Sequence, residues 1–140
     1  MTNEEVKAIV ANPYVSPEDL VKHYLSNPQY IEEWLDAKGK ALAGVSIDCQ
    51  QCVVAAYLQE KLTSEGIEFA ALEVTLGRVE VFLEDNYLDL RTPEWVEDFV
   101  QALDRHRNPS YPWGLNTKSK IFSGNLARNI LKVSLKTGVE

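Results

Sequence analysis

The middle of the chain alternates between apolar and polar residues over two neighbouring runs. Apolar side chains occupy every second position, at Ala70, Leu72, Val74 and Leu76 in the first run and at Val79, Val81 and Leu83 in the second. Strict alternation is typical of an antiparallel hairpin with one buried face and one charged face. Turn residues at Gly77 and at Asp85-Asn86 favour a third strand over 87–90, so the pattern predicts a three-stranded meander.

Helical patterns lie on both sides of this segment. Ser16-Pro17 and Asn27-Pro28 predict helix starts, and capping-box spacing over 2–5 predicts an earlier one. Thr92 and Pro93 have the residue types of a cap and a first helical position, which predicts a helix over 92–107. Apolar spacing then predicts a final basic helix from about Lys120 to Leu135.

A further helix is predicted directly before the meander. Asp48 and Gln51 have the spacing of a capping box, so we expect the helix to begin at Asp48. Cys52, Ala55 and Ala56 would give it one face of small side chains, which suits a helix lying close against a sheet.

Together these elements predict a single α+β domain over 1–140. N-terminal helices come first, one central helix packs on a three-stranded antiparallel meander, and two helices end the chain. Within the domain we distinguish a helical N-terminal part (1–44), a helix-meander-helix core (45–107), and a loop with a basic C-terminal helix (108–140).

Charge changes this picture because it is unevenly spread. The net charge is −7, yet residues 101–140 carry seven bases against two acids. One interpretation is that this basic part docks on the acidic body of its own chain or of a partner copy. The other is that it binds an anion such as nucleic acid, although its bases are scattered and the chain as a whole is acidic.

Composition limits the class of protein. The chain is 45% apolar and 25% charged, which are ordinary values for a folded domain. No apolar stretch approaches the roughly 20 residues of a membrane span, and the first residues do not resemble a secretory signal. These features, together with the presence of only two cysteines, favour a reducing, cytoplasmic location.

Those two cysteines, Cys49 and Cys52, have C-x-x-C spacing. Such a pair supplies half of a zinc site, but no second pair exists, and His23 and His106 are isolated in sequence. A thioredoxin-like redox pair would sit in a βαβ pattern, which is missing here. We therefore expect no metal and no cofactor, and we expect Cys52 to be a small buried residue.

The order of elements allows another interpretation of Cys52. The segments "CVVAAYLQEKLTSEGIEFAALEV" and "GRVEVFLEDNYLDLRTP" together resemble the core of the transglutaminase-like cysteine-enzyme superfamily. The resemblance implies that Cys52 takes the nucleophile's place and Asp89 the aspartate's place. Leu76 stands where that family has its histidine, and a cysteine without an adjacent base is mostly thiol at neutral pH. The resemblance therefore implies a non-catalytic relative.

The segment between the last two helices carries aromatic side chains among prolines. Tyr111 and Trp113 lie in an irregular stretch, where exposed aromatic residues often contact a partner. An equal alternative is that Trp113 folds back over the edge of the core. The flanking basic residues add positive charge and complete a predicted binding set: Arg105, Arg107, Lys118 and Lys120.

These observations lead to one functional expectation and two alternatives. We expect a small cytoplasmic interaction or regulatory protein without catalysis that contacts a protein partner or a second copy of itself as a homodimer. The first alternative is a cysteine-dependent hydrolase or transferase using Cys52 and Asp89. The second is a nucleic-acid binder acting through the basic C-terminal region.

Overall fold

The computed structural model describes residues 16–45, 50–75, 77–105 and 121–138. Within them the elements in chain order are α1 (Pro17–Leu25), α2 (Pro28–Lys38), β1 (Leu42–Val45), α3 (Val53–Ser64), β2 (Ala71–Thr75), β3 (Arg78–Phe82), β4 (Tyr87–Arg91), α4 (Glu94–Arg105), β5 (Ile121–Ser123) and α5 (Gly124–Gly138). Among these helices, none is both long enough and apolar enough to cross a membrane. The predicted α+β class is confirmed. The helix expected near residues 2–5 lies outside the described residues.

The predicted meander is present as a three-stranded antiparallel sheet in the order β2-β3-β4. Val74 pairs with Val79 and Leu72 with Val81, so the alternating apolar residues share one face. On the opposite face, Glu73 pairs with Glu80, and Glu80 pairs with Asp89. One face is therefore buried and the other charged, as the alternation predicts.

The core lies between the apolar face of this sheet and the surrounding helices. Helix α3 is its centre, because half of its 12 residues are buried, including Val53, Tyr57 and Leu58. Helix α1 packs on α3, and α5 packs on both α2 and α4. Burying large side chains such as these contributes roughly 1.5–3 kcal/mol each, which is the main source of stability here.

The first two helices begin where the sequence predicts. The hydroxyl of Ser16 accepts a hydrogen bond from the Asp19 N–H at 3.1 Å, and the Asn27 side chain accepts one from the Gln29 N–H at 2.9 Å. Each cap satisfies a backbone donor that the helix leaves unpaired, and proline follows as the first helical residue.

The starts of two other helices differ from the prediction. Helix α3 begins at Val53 with Cys52 as its N-cap, so the predicted start at Asp48, which lies outside the described residues, is wrong. Helix α4 begins at Glu94, and the Thr92 hydroxyl is buried without a hydrogen-bond partner in the described structure, so Thr92 does not cap it through that group. Thr92 instead prolongs the sheet, since its N–H bonds to the Gly77 carbonyl at 3.0 Å.

A second small sheet was not predicted. Strand β1 pairs antiparallel with β5, which joins Gly44 to Phe122. The final helix therefore starts at Gly124, and the predicted start near Lys120 is wrong because residues 121–123 form a strand. Two glycines permit the close packing. A Cβ on Gly44 would lie 2.5 Å from the Val53 nitrogen, and one on Gly124 would lie 2.3 Å from the Leu35 carbonyl oxygen.

Candidate functional site

Cys52 lies at the start of α3 and is nearly buried, with 7% of its surface exposed. Its sulfur accepts a hydrogen bond from the Ala55 N–H at 3.4 Å, which closes the first turn of the helix. It also belongs to the apolar core cluster that contains Val53 and Val81. The described surroundings of Cys52 are therefore those of a structural cap inside the core.

Asp89 lies on the opposite side of the sheet from that core. Its neighbours Leu88 and Leu90 point toward the helices, so Asp89 faces the open side of β4. Its carboxylate accepts a hydrogen bond from Arg78 at 2.9 Å. The structure thus joins Asp89 to Arg78 rather than to Cys52, and a catalytic site built on Cys52 and Asp89 stays a prediction.

The remaining groups that such chemistry needs lie partly outside the described residues. Cys49, Leu76 and His106 are among those not described. His23 is exposed on α1, where its ring centre lies 5.1 Å from those of Tyr24 and Tyr30. Within the described ranges, no group of three or more histidine, cysteine, aspartate or glutamate side chains is arranged to hold a metal ion.

Of the predicted binding set, the structure describes one member. Arg105 ends α4, and its guanidinium donates to the Gln101 side chain at 3.2 Å. The other members lie outside the described residues: Arg107, Tyr111, Trp113, Lys118 and Lys120.

The basic C-terminal helix packs against the acidic helix α2 of the same chain. The Arg128 guanidinium hydrogen-bonds to Asp36, and the Lys132 ammonium lies 3.6 Å from the Glu32 carboxylate. Two of the helix's cations are therefore turned toward acids of their own chain. These contacts correspond to the first of the two interpretations of the uneven charge, in which the basic C-terminal part docks on the acidic body of its own chain.

The hydrogen bonds beside β4 fix which main-chain groups of that strand face its neighbour. The Leu83 N–H donates to the Asn86 carbonyl at 2.9 Å, and the Thr92 N–H donates to the Gly77 carbonyl at 3.0 Å. In an antiparallel pair the bonded residues alternate along each strand. Between these two points, the residues of β4 whose main chain faces β3 are therefore Leu88 and Leu90.

The intervening residues of β4 present their main-chain groups to the other side, where no further strand from the described ranges follows. These residues are Tyr87, Asp89 and Arg91, and all three are exposed. No hydrogen bond from the described part of the chain reaches the outward N–H or C=O of Asp89 or Arg91. The opposite edge of the sheet is partly covered, because the Gln59 side chain donates to the outward carbonyl of Leu72 at 3.3 Å.

An apolar pocket of about 350 Å³ lies beside this outward edge, between β4 and α1. Its lining residues are Val21, Lys22, Leu25, Leu90, Arg91, Thr92 and Pro93. The half-buried Leu90 and the Thr92 hydroxyl, which has no hydrogen-bond partner among the described residues, both belong to its sheet side. We call the pocket and the outward edge of β4 together the β4 groove. It combines an apolar floor with main-chain groups that no described part of the chain hydrogen-bonds.

The open face next to the β4 groove carries its charges in rows that cross the strands. One row contains Glu73, Glu80 and Asp89, and the next contains Arg78 directly opposite Arg91. Tyr87 donates its hydroxyl to Glu80 at 2.7 Å, and this hydrogen bond raises the pKa of Tyr87 to about 12. Arg91 has no ion-pair partner among the described residues, and it stands directly opposite another cation, Arg78.

The alternating pattern predicts β4 but not its role at the sheet edge. Strand order is a long-range property, and nothing in "YLDLR" distinguishes an edge strand from a central one. One signal was available, because Pro93 directly follows the strand and proline is usual near sheet edges. The pocket depends on α1, more than 60 residues earlier in the chain, and no local pattern connects the two.

Comparison of the chain with protein-family models, with curated proteins and with solved structures found no match in any of the three.

Proposed function

We propose that the protein is a small, non-catalytic interaction protein that binds an extended segment of a protein partner in the β4 groove. The segment adds to the sheet as a further strand beside β4. The observation that carries this proposal is the outward edge of β4, whose main-chain donors and acceptors are exposed next to an apolar pocket.

The physical basis is the chemistry of sheet edges. An exposed edge offers a row of main-chain hydrogen-bonding groups to any extended chain. In strand addition these groups supply affinity, while pockets for alternate side chains supply specificity. Asp89 and Arg91 provide the donors and acceptors, and the pocket beside Leu90 accommodates an apolar side chain from the added strand.

The contacts of Cys52 and Asp89 favour a binding role over a catalytic one. The thiol caps a helix inside the core, and the carboxylate is held by Arg78 on the open face. A cytoplasmic location belongs to the same proposal and is supported by the sequence, which has only two cysteines. The aromatic segment around Trp113 and the basic residues beside it stay a predicted second contact surface.

A substitution that removes one outward-facing N–H of β4 tests the proposal. Asp89→Pro removes a donor at the free edge and leaves the bonds of Leu88 and Leu90 to β3 in place. Asp89→Ala is the matched control, because it also loses the ion pair with Arg78 but keeps the N–H. A random peptide library would be panned on the immobilised protein at low surface density, and the enriched peptides measured against all three forms.

We expect enriched peptides that bind wild type and Asp89→Ala within about threefold and that bind Asp89→Pro at least about tenfold more weakly. Circular dichroism of each variant checks that the fold is intact. A panel in which no peptide is enriched, or in which enriched peptides bind all three forms equally, would overturn the proposal.

A further inference from the structure

We infer that the extended segment for which the β4 groove is built is β4 of a second copy of this chain. The inference rests on the proposed function, since it requires the edge of β4 to accept a strand. Two copies would pair antiparallel through β4 about a two-fold axis and join their meanders into one continuous sheet.

The main chain restricts how two such strands pair. The outward groups belong to Tyr87, Asp89 and Arg91, so these residues must hydrogen-bond with one another across the axis. With the axis at Leu90, Asp89 of one copy stands opposite Arg91 of the second copy. Each of these residues then donates its N–H to the other and accepts at its C=O. The interface ends at Pro93, which has no N–H to offer.

Side-chain charge and strand length select this register over its neighbours. With the axis at Leu90, each Arg91 gains a carboxylate directly opposite it, which the single chain does not provide within its described part. With the axis at Asp89, the two Asp89 carboxylates would face each other, and like charges opposite one another destabilise a strand pair. With the axis at Leu88, Arg91 would stand opposite Asp85, which lies in the bend before the other β4, so strand length rather than charge disfavours that register.

The same register aligns the charged rows of the open face. In one copy the basic row runs from Arg78 to Arg91 and ends at the edge. Across the axis it meets the acidic row of the second copy, which begins at Asp89 and continues through Glu80 and Glu73. The two-fold axis repeats this match, so both basic rows end on acidic rows. Self-complementarity of this kind is what a two-fold interface requires.

The helix-facing side of β4 completes the fit. Leu88 and Leu90 are only half-buried in the single chain. In the register centred on Leu90, the two Leu90 side chains meet at the axis, and Leu88 of each copy stands opposite Thr92 of the other. Thr92 lines the pocket beside α1, so the Leu88 side chain of the second copy enters that pocket. Apolar surface on both copies is thereby removed from water.

Charge reversal tests the register directly. Arg91→Asp places like charges opposite each other across the axis, and so does Asp89→Arg. Each variant alone should weaken self-association by about tenfold or more. When the two variants are mixed, the native Asp89 of one meets the native Arg91 of the other, and the introduced aspartate meets the introduced arginine. The mixture should therefore associate as well as wild type, and so should the double variant D89R/R91D.

The measurement is sedimentation equilibrium from about 10 µM to about 1 mM, a range chosen because the interface is short. We expect wild type, the double variant and the mixture to approach twice the chain mass of 15.8 kDa, and each single variant to stay near that mass. Circular dichroism confirms that the variants fold. Three results would each overturn the inference. Wild type could stay monomeric at every concentration, the single variants could associate like wild type, or the mixture of the two variants could fail to recover wild-type association.

These outcomes are distinct from failure of the proposed function. If wild type is monomeric but library peptides bind the edge and are lost in Asp89→Pro, the groove binds another partner and only the second-copy inference fails. If the peptides fail as well, both fail.

Discussion

The Arg78 guanidinium donates to the Asp89 carboxylate over 2.9 Å, diagonally across β3 and β4. Arg91 stands at the sheet edge directly opposite Arg78, and it has no ion-pair partner among the described residues. Among the described residues the edge is thus unsatisfied in two respects, in its main-chain hydrogen bonds and in its charge. One added strand would satisfy both the hydrogen bonds and the charge, and for this reason we place the predicted interaction at β4.

Gly44 should be intolerant of any side chain. A Cβ there would lie 2.5 Å from the nitrogen and 2.6 Å from the Cα of Val53, and these backbone atoms cannot rotate away. We expect Gly44→Ala to lower the free energy of unfolding by about 2 kcal/mol, as measured by urea denaturation. Leu42→Ala in the same strand is the control and should cost less than about 0.5 kcal/mol, because Leu42 is 56% exposed. An unchanged midpoint for Gly44→Ala would contradict the described packing of β1 on α3.

This glycine illustrates what the sequence could and could not predict. The alternation at Val79 and Val81 made the meander predictable, because a period of two appears locally in the chain. The pairing of β1 with β5 joins residues about 80 positions apart in strands of four and three residues, too short to show a pattern. Gly44 and Gly124 had no local explanation and gain one only from their packing, Gly44 against Val53 of α3 and Gly124 against Leu35 of α2.

The helix caps and the sheet edge also differ in how far the sequence alone could predict them. The caps at Ser16 and Asn27 were predictable because a cap lies within three residues of the donor that it satisfies. The cap at α3 was mispredicted, because Asp48 and Gln51 form a good local pattern, whereas the structure uses the sulfur of Cys52. Apart from Pro93 after the strand, nothing local indicated that β4 lies at the sheet edge, and no local pattern placed α1 beside it.

Alkaline pH should destabilise the fold through two tyrosines. Tyr24 donates its hydroxyl to Glu65 at 2.6 Å, and Tyr57 donates to the Tyr24 carbonyl at 2.8 Å. Burial, strengthened by Glu65, raises the pKa of Tyr24 to about 12, and burial also raises the pKa of Tyr57. In the unfolded chain both titrate near 10. The folded state therefore holds protons that the unfolded state releases, and stability falls as pH rises from about 10 through about 12.

Urea denaturation at about pH 9, 10 and 11 measures this loss. Tyr24→Phe removes one titrating hydroxyl and should flatten the dependence on pH. Tyr57→Phe should in addition cost about 1 kcal/mol at neutral pH, because it leaves the Tyr24 carbonyl without its partner. A dependence as steep in both variants as in wild type would assign the alkaline loss to other groups.

Cys52 should react slowly with iodoacetamide while the protein is folded. Its thiol is buried and accepts from the Ala55 N–H, so labelling requires local opening. In a Cys49→Ser background at neutral pH, we expect a rate at least about tenfold below that of the urea-unfolded chain. Labelling faster than the unfolded thiol would instead support the cysteine-dependent enzyme, because it would show an activated thiolate.

The basic C-terminal helix should bind polyanions poorly in the native protein. Arg128 and Lys132 already contact Asp36 and Glu32 of α2, which compete with any phosphate. On heparin resin we expect elution below about 0.15 M salt. Glu32→Gln with Asp36→Asn removes both competing carboxylates and should shift elution to higher salt, while Glu84→Gln with Asp85→Asn controls for the change in net charge. Strong retention of wild type would favour the nucleic-acid alternative.

Residue-resolved amide hydrogen exchange tests the edge of β4 most directly. At about 10 µM the amides of Leu88 and Leu90, which bond to β3, should be protected, while those of Asp89 and Arg91 should exchange as exposed groups. At about 1 mM the amides of Asp89 and Arg91 should gain protection, because they then bond to β4 of a second copy. Fast exchange of Asp89 and Arg91 at both concentrations, or protection already complete in the dilute protein, would contradict the central claim.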